Sequence, residues 1–81
     1  METIFIHPDK VVEVFKTNVN QEWQVQFIIA ALEKLLPEAR ITFDLDDCDK
    51  ILRIEGQVTL INIHQIIQVI SAFGYHAEVL R

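Results

Sequence analysis

Cysteine is almost absent from this 81-residue chain, in which Cys48 is the single thiol. One cysteine excludes an internal disulfide and a thiolate cluster within one chain, and it is typical of a protein from a reducing compartment. Positive charge is also scarce, because 7 Lys and Arg stand against 12 Asp and Glu and the net charge is -5. Nucleic acids and anionic membranes attract clustered Lys and Arg, so we expect a cytoplasmic protein that binds neither.

Long hydrophobic runs and flexible segments are missing as well. No stretch approaches the ~18 consecutive apolar residues of a membrane-spanning helix. The start, Met1-Glu2-Thr3-Ile4, lacks the basic and apolar regions of a signal peptide, so we expect none. With only 2 Gly and 2 Pro, the chain contains no linker or low-complexity segment. We therefore expect residues 1–81 to form one domain, with residues 1–9 as an N-terminal extension.

The first helical pattern lies in residues 21–36, where apolar side chains recur every three or four positions. This stripe comprises Val25, Ile28, Ile29, Ala31, Leu32, Leu35 and Leu36. Asn20 stands directly before it as the candidate N-cap. Pro37 ends the helix, because the residue before a proline avoids the α region.

A second helical pattern follows in the C-terminal third of the chain. Its apolar stripe comprises Ile63, Ile66, Ile67, Ile70 and Phe73. Asn62 is the candidate N-cap, and Gly74 stands where the glycine that follows a helix is usually found. The sequence therefore predicts a second helix between these two residues.

Four segments predict β-strands. Residues 10–17 are rich in β-branched and aromatic side chains, and residues 39–45 alternate strictly between apolar and polar. Residues 50–55, which end at Gly56, and residues 75–80 complete the set. The β-α-β-β-α-β order predicts an α+β protein with the ferredoxin-like arrangement, a sandwich in which two helices cover one face of a four-stranded antiparallel sheet.

The spacing of these elements resembles the heavy-metal-associated (HMA) domains and their relatives, the small copper chaperones. Three segments carry the resemblance: the helix from Gln24 to Pro37, the strand from Ile41 to Leu45, and the turn Ala72-Phe73-Gly74-Tyr75-x-Ala77. The resemblance covers roughly residues 11–80 and implies a carrier of copper or zinc. The family holds its metal through a Met-x-Cys-x-x-Cys loop between the first strand and the first helix, where two thiolates reach one ion.

This chain departs from the family at the metal loop. Counting back from Val25 places Val19 at the Met position and Gln21 and Gln24 at the two Cys positions. Tyr75 matches a family position that packs near the loop, and without thiolates we expect it to pack in the core with its hydroxyl at the rim. Because glutamine is a neutral oxygen donor and suits copper(I) poorly, we expect degenerate metal-loop positions, no bound metal and no cofactor.

Trp23 and Phe27 stand four residues apart on the first helix, so their side chains touch on one face. Together with Ala30 they lie away from the apolar stripe. Exposed aromatic patches often mark partner surfaces, and these three residues are therefore the candidate interface. The alternative is that the N-terminal segment covers the rings or that they pack at the end of the sheet.

Outside the positions of the family's metal loop, the sequence offers few candidate metal ligands. Cys48 lies in the acidic turn from Asp46 to Asp49, which we interpret as a solvated hairpin turn. A calcium loop that begins at Asp44 would need glycine at its sixth position, where this sequence has aspartate. The three histidines have no ligand-like spacing: His7, His64 and His76. A copper or zinc site shared between chains through Cys48 or the histidines stays open as an alternative.

Catalysis has no evident machinery in this sequence. Residues 16–22 lack the glycine and arginine with which an acylphosphatase loop on the same fold binds phosphate. No Ser-His-Asp or Cys-His pairing stands out either. We therefore expect that the protein is not an enzyme.

The segment Thr3-Ile4-Phe5-Ile6-His7 is short, apolar and β-prone. The first strand of the predicted fold is central with both neighbours filled, so an extra strand must pair with a sheet edge. We predict a non-catalytic protein-interaction or self-association module that binds a protein partner or a second copy, through the Trp23 and Phe27 face, a sheet edge, or both. The alternatives are a copper or zinc accessory protein with non-standard ligands and a small-molecule sensor.

Overall fold

The order of helices and strands agrees with the sequence pattern. The computed structural model describes residues 10–80, so the predicted extra strand at residues 3–7 lies outside the described range. Within it the elements are β1 (Lys10–Thr17), α1 (Glu22–Leu35), β2 (Arg40–Asp44), β3 (Ile51–Gln57), α2 (Ile63–Ala72) and β4 (Ala77–Val79). The protein is thus α+β, with two helices and four strands in this range.

The four strands form one antiparallel sheet in the order β2-β3-β1-β4. In the pairing of β1 with β3, Lys10 lies opposite Gln57 and Phe15 opposite Leu52. The β2–β3 hairpin pairs all five residues of β2, from Arg40 to Asp44. β1 is therefore a central strand, and β2 and β4 form the edges of the sheet among the described residues.

One hydrophobic core joins both helices to one face of the sheet. Its fully buried members are Phe15, Val19, Ile28, Leu32, Leu52, Ile54, Ile66 and Ile70. The sheet contributes Phe15, Leu52 and Ile54 to this core. Side chains alternate between the two faces along β1 and β3, and these three point to the same face. Burying one such aliphatic or aromatic side chain contributes about 1.5–3 kcal/mol, so this shared core is the main stabilising feature of the domain.

The ends of α1 differ from the prediction. Gln21, not Asn20, occupies the N-cap position, and its side chain makes no capping hydrogen bond. At the other end, Leu35 is 36 % exposed, although the stripe placed it in the core. The helix ends at Leu35, and the backbone changes direction at Leu36, ahead of Pro37. This change turns the side chain of Leu36 towards the core, where it is buried.

The ends of α2 follow the prediction more closely. The Oδ1 atom of Asn62 accepts a hydrogen bond from the Gln65 amide at 3.1 Å, which confirms the cap. Gly74 has a φ of +89°, a conformation that glycine adopts without steric penalty. Phe73, however, is 42 % exposed rather than part of the core stripe. The helix ends at Ala72, so the ring of Phe73 leaves the buried face.

The strands β3 and β4 also have corrected bounds. β3 continues past Gly56 to Gln57, because the start of β1 pairs with it there. β4 spans three residues and pairs only with residues 15–17 of β1, beyond which the Leu80 amide donates to the carbonyl of Val14. The expectation of a central first strand is confirmed, because β1 lies between β3 and β4, and its pairing with β4 covers residues 15–17.

Neither helix of the described chain is both long and apolar enough to cross a lipid bilayer.

A candidate aromatic cleft beside the first helix

Trp23 and Phe27 contact each other on the outer face of α1. Their ring centroids lie 6.4 Å apart and the ring planes meet at 83°, an edge-to-face arrangement. The side chains are 61 % and 60 % exposed, so the predicted exposure and contact are both confirmed. Such pairs are stabilised by the opposite charges of the ring face and the ring edge.

These two rings form one wall of a cleft. The cleft has a volume of about 180 Å³ and is lined by Trp23, Gln24, Phe27, Phe73 and Tyr75. The first turns of α1 thus meet the segment that leads from α2 into β4. Four aromatic side chains and one amide line this small depression, which is open to solvent and has room for the end of one amino-acid side chain. We refer to these five residues as the aromatic cleft.

The cleft brings together only part of the residues singled out in the sequence. Gln24 and Tyr75, two of the four degenerate metal-loop positions, both line it. Val19 is fully buried in the core, and Gln21 stands exposed at the start of α1. Ala30 is exposed further along α1 but does not line the cleft.

Phe73 was missed as a site residue because its spacing placed it in the core stripe of α2. The signal that separates it from that stripe is Gly74. A glycine directly after a helix marks the end of its last turn, so Phe73 is the C-cap residue and its ring lies at the helix end, where it is exposed.

Two hydrogen bonds join the loop before α1 to the segment before β4. The Oδ1 atom of Asn18 accepts from the His76 amide at 2.7 Å, and the Asn18 amide donates to the His76 carbonyl at 3.3 Å. One residue earlier, the buried hydroxyl of Thr17 donates to the Lys50 carbonyl and accepts from the Val19 amide. These bonds fix the backbone beneath the cleft, although its rings are exposed.

Gln24 carries the most informative polar atom of the cleft. Its Oε1 atom is buried and has no hydrogen-bond partner among residues 10–80. A buried acceptor without a partner costs about 1–3 kcal/mol. The Gln24 side chain lines the cleft, so a rotation of this side chain would bring its buried oxygen to an N–H donor that enters between the rings.

The donor set of the cleft does not fit a soft metal. The structure places no cysteine or histidine among the residues that line it, and its polar atoms are one amide and one phenol. Copper(I) and zinc are held by thiolate and imidazole. The geometry of the cleft therefore gives no support to metal binding at the positions where the family has its loop.

The acidic turn is a separate feature of the β2–β3 hairpin. Possible ligand atoms of Asp47, Cys48 and Asp49 lie within 4.8 Å of one another, and Cys48 is exposed as a free thiol. The Oδ1 atom of Asp47 accepts from the Asp49 amide at 2.8 Å, and that of Asp44 accepts from the Asp46 amide at 3.1 Å. The aspartates thus act as turn formers, in agreement with the hairpin interpretation.

A larger groove lies at the opposite end of the sheet. It has a volume of about 730 Å³, and its lining includes Lys10, Leu35, Arg40, Glu55 and Leu60. Among the described residues that line it there is no cysteine, histidine, serine or threonine, and its polar side chains are charged groups and one amide. Size alone therefore does not make this groove the functional site.

Comparison with known proteins gives no relative for this chain: no family model matches it, and no curated protein or solved structure matches it significantly.

Proposed function

We propose that this chain is a non-catalytic protein-interaction module, built on a ferredoxin-like domain of the heavy-metal-associated type that has lost its metal-binding cysteines. Its aromatic cleft receives a basic side chain, arginine above all, from a partner protein. The observation that carries the proposal is the cleft itself: four aromatic side chains around Gln24, whose buried carbonyl oxygen has no partner among the described residues.

The fold part of the proposal is supported by the sheet. Its order, β2-β3-β1-β4, is the one that two linked β-α-β units produce when each helix connects strands that are not neighbours. Both helices share one core with one face of the sheet, as a ferredoxin-like sandwich requires. The resemblance of the helix spacing and the Gly74-Tyr75 turn to the metal-carrier family then supports the finer assignment.

The choice of a basic anchor follows from three properties of the cleft. Ammonium and guanidinium groups are attracted to the faces of Trp, Tyr and Phe rings, and guanidinium also stacks on them. The Oε1 atom of Gln24 accepts hydrogen bonds, and a guanidinium group has five N–H donors. The net charge of -5 attracts a basic partner at long range. An apolar anchor would leave the Gln24 oxygen without a partner.

Fluorescence of Trp23 provides the test, because it is the only tryptophan of the chain and lines the cleft. The probes are two blocked Gly-Ser nonapeptides, one with a central arginine and the other with citrulline, its neutral isostere. We expect the arginine peptide to shift the emission of Trp23 in a saturable way. The citrulline peptide should bind at least about fivefold more weakly, because it lacks the positive charge that the rings attract.

Two alanine variants form a matched control pair for this titration. Phe27→Ala removes one wall of the cleft from a position that is 60 % exposed, so we expect a weaker complex and an intact fold. Leu60→Ala removes a side chain that is 52 % exposed in the distant groove, and the affinity should not change. Equal affinity for both peptides, or no saturable signal with either, would contradict the proposed function.

A further inference from the structure

β2 is an edge strand with one unpaired side. Its five residues, Arg40–Asp44, pair with β3, and no other strand among residues 10–80 lies beside it. The outer side of such a strand presents N–H and C=O groups that can pair with another extended chain. This edge is separate from the aromatic cleft, so a partner that pairs with it is independent of the proposed function.

The side chains of β2 alternate strictly between two environments. Arg40, Thr42 and Asp44 are exposed, whereas Ile41 and Phe43 are half-buried and pack against the hydrophobic core. The charged and hydroxyl groups therefore lie on the sheet face away from the core. A strand that is added beside β2 would have to continue both surfaces, one polar and one apolar.

A second copy of β2 satisfies this requirement when the two strands run antiparallel and cross at Thr42. Arg40 of one copy then lies opposite Asp44 of the other, and the same pair forms again at the other end. Ile41 lies opposite Phe43 beside the core, and the two Thr42 side chains face each other. Opposite charges and Thr–Thr pairs directly across two strands are stabilising.

The register is set by the pleat as well as by the charges. A shift by one residue would place the apolar side chains of the two copies on opposite faces of the joined sheet. A shift by two residues would leave charged residues without an opposite partner and reduce the number of pairs. Of the registers that keep both cores on the same side, only the one centred on Thr42 pairs all of Arg40–Asp44.

The other edge does not have this property. β4 spans Ala77–Val79, only three residues, with the exposed Glu78 at its centre. Antiparallel pairing of two copies about that centre would place Glu78 opposite Glu78, and like charges directly opposite are destabilising. The edge β4 is therefore protected against self-pairing, whereas β2 is complementary to itself.

We propose that the chain forms a two-fold symmetric homodimer in which the β2 strands of two copies pair antiparallel about Thr42. The two four-stranded sheets then form one continuous sheet. Because a two-fold axis makes each contact occur twice, the Arg40–Asp44 pair is formed at both ends of the joint. The occupant of this edge is a second copy of the chain.

Charge reversal at the two ends of β2 tests the register. In Arg40→Asp alone, aspartate faces Asp44 at both ends; in Asp44→Arg alone, Arg40 faces arginine at both ends. We expect each single variant to weaken the dimer about tenfold or more in sedimentation equilibrium, since two attractive pairs become two repulsive pairs. The double variant Arg40→Asp/Asp44→Arg restores opposite charges and should dimerise within about threefold of the original chain.

A mixture of the two single variants separates the interface from any effect on folding. In a mixed dimer every charged pair is attractive again, so the mixture should form heterodimers although each variant alone does not. Arg40→Asp also places an acidic side chain opposite Glu55 in its own sheet, but the double variant shares that change. A loss of dimer that arises from misfolding would therefore not be rescued in the double variant.

The control substitution is Glu78→Lys on the other edge, which should leave the dimer unchanged. Three results would overturn the proposal: a monomer at about 1 mM chain, a dimer that both single reversals leave intact, or a mixture that gains no heterodimer. A dimer that is lost in Phe27→Ala and kept in Arg40→Asp would place the contact at the aromatic cleft instead.

Discussion

At the scale of single residues, Gln24 shows what the family resemblance and the structure each contribute. The resemblance to metal carriers aligns this residue with one of that family's two cysteine positions, but it does not say what the glutamine does. The structure places it in the lining of the cleft with Trp23, Phe27 and Tyr75, and its carbonyl oxygen is buried and unpaired among the described residues. This unpaired oxygen is one of the observations on which we base the proposed binding of a basic side chain.

Gln24→Leu tests this interpretation through stability. Leucine has a similar size and removes the buried acceptor, so we expect the free energy of unfolding to rise by about 1 kcal/mol. Chemical denaturation monitored by circular dichroism measures the change. Gln26→Leu is the matched control, because Gln26 is an exposed glutamine on the same helix, and its effect should stay within about 0.5 kcal/mol. A Gln24→Leu variant less stable than the original chain would show that the oxygen is satisfied in solution.

At the scale of elements, the sequence predicts the helices and strands well and their ends less well. Periodicity identifies β1 with its observed bounds and both helices to within a residue or so at each end. It cannot decide how a chain leaves a helix, because that depends on capping and on tertiary contacts. Leu35 and Phe73, both assigned to core stripes, lie at helix ends and are exposed for this reason.

The two candidate N-caps give a direct comparison at this scale. Asn62 accepts a hydrogen bond from the Gln65 amide, whereas the N-cap position of α1 is Gln21 rather than Asn20. We expect Asn62→Ala to lower the free energy of unfolding by about 1 kcal/mol, the usual effect of losing an N-cap. Asn20→Ala should change it by less than about 0.5 kcal/mol. If thermal unfolding shows the same loss of stability for both variants, then both asparagines cap their helices.

At the scale of the whole molecule, the sequence predicts the antiparallel sheet and its two helices, because each local pattern supports the same arrangement. The family resemblance implies that Tyr75 lies near the loop positions that include Gln24, but no local pattern could predict that Phe73 and the rings of α1 complete an aromatic cleft there. It also could not reveal that β4 is only three residues long and pairs with residues 15–17 of β1. Both features depend on long-range register, which no local pattern reports.

We propose different partners for two separate surfaces of the molecule. The aromatic cleft lies where α1 begins and is assigned to a basic side chain of another protein. The β2 edge is assigned to a second copy of the chain, through Arg40 and Asp44 at its ends. Neither the lining of the cleft nor Arg40–Asp44 includes a cysteine or a histidine.

Native mass spectrometry of the chain mixed with the arginine nonapeptide tests the central claim most directly, because one spectrum reports metal content and bound peptide together. The protein should be purified without a chelator, so that any metal it carries is retained. We expect a metal-free chain that binds one peptide per copy, with clearly less complex for the citrulline peptide. Stoichiometric copper or zinc on a chain that binds neither peptide, with the metal lost in Cys48→Ser, would contradict the account and favour the metal accessory function.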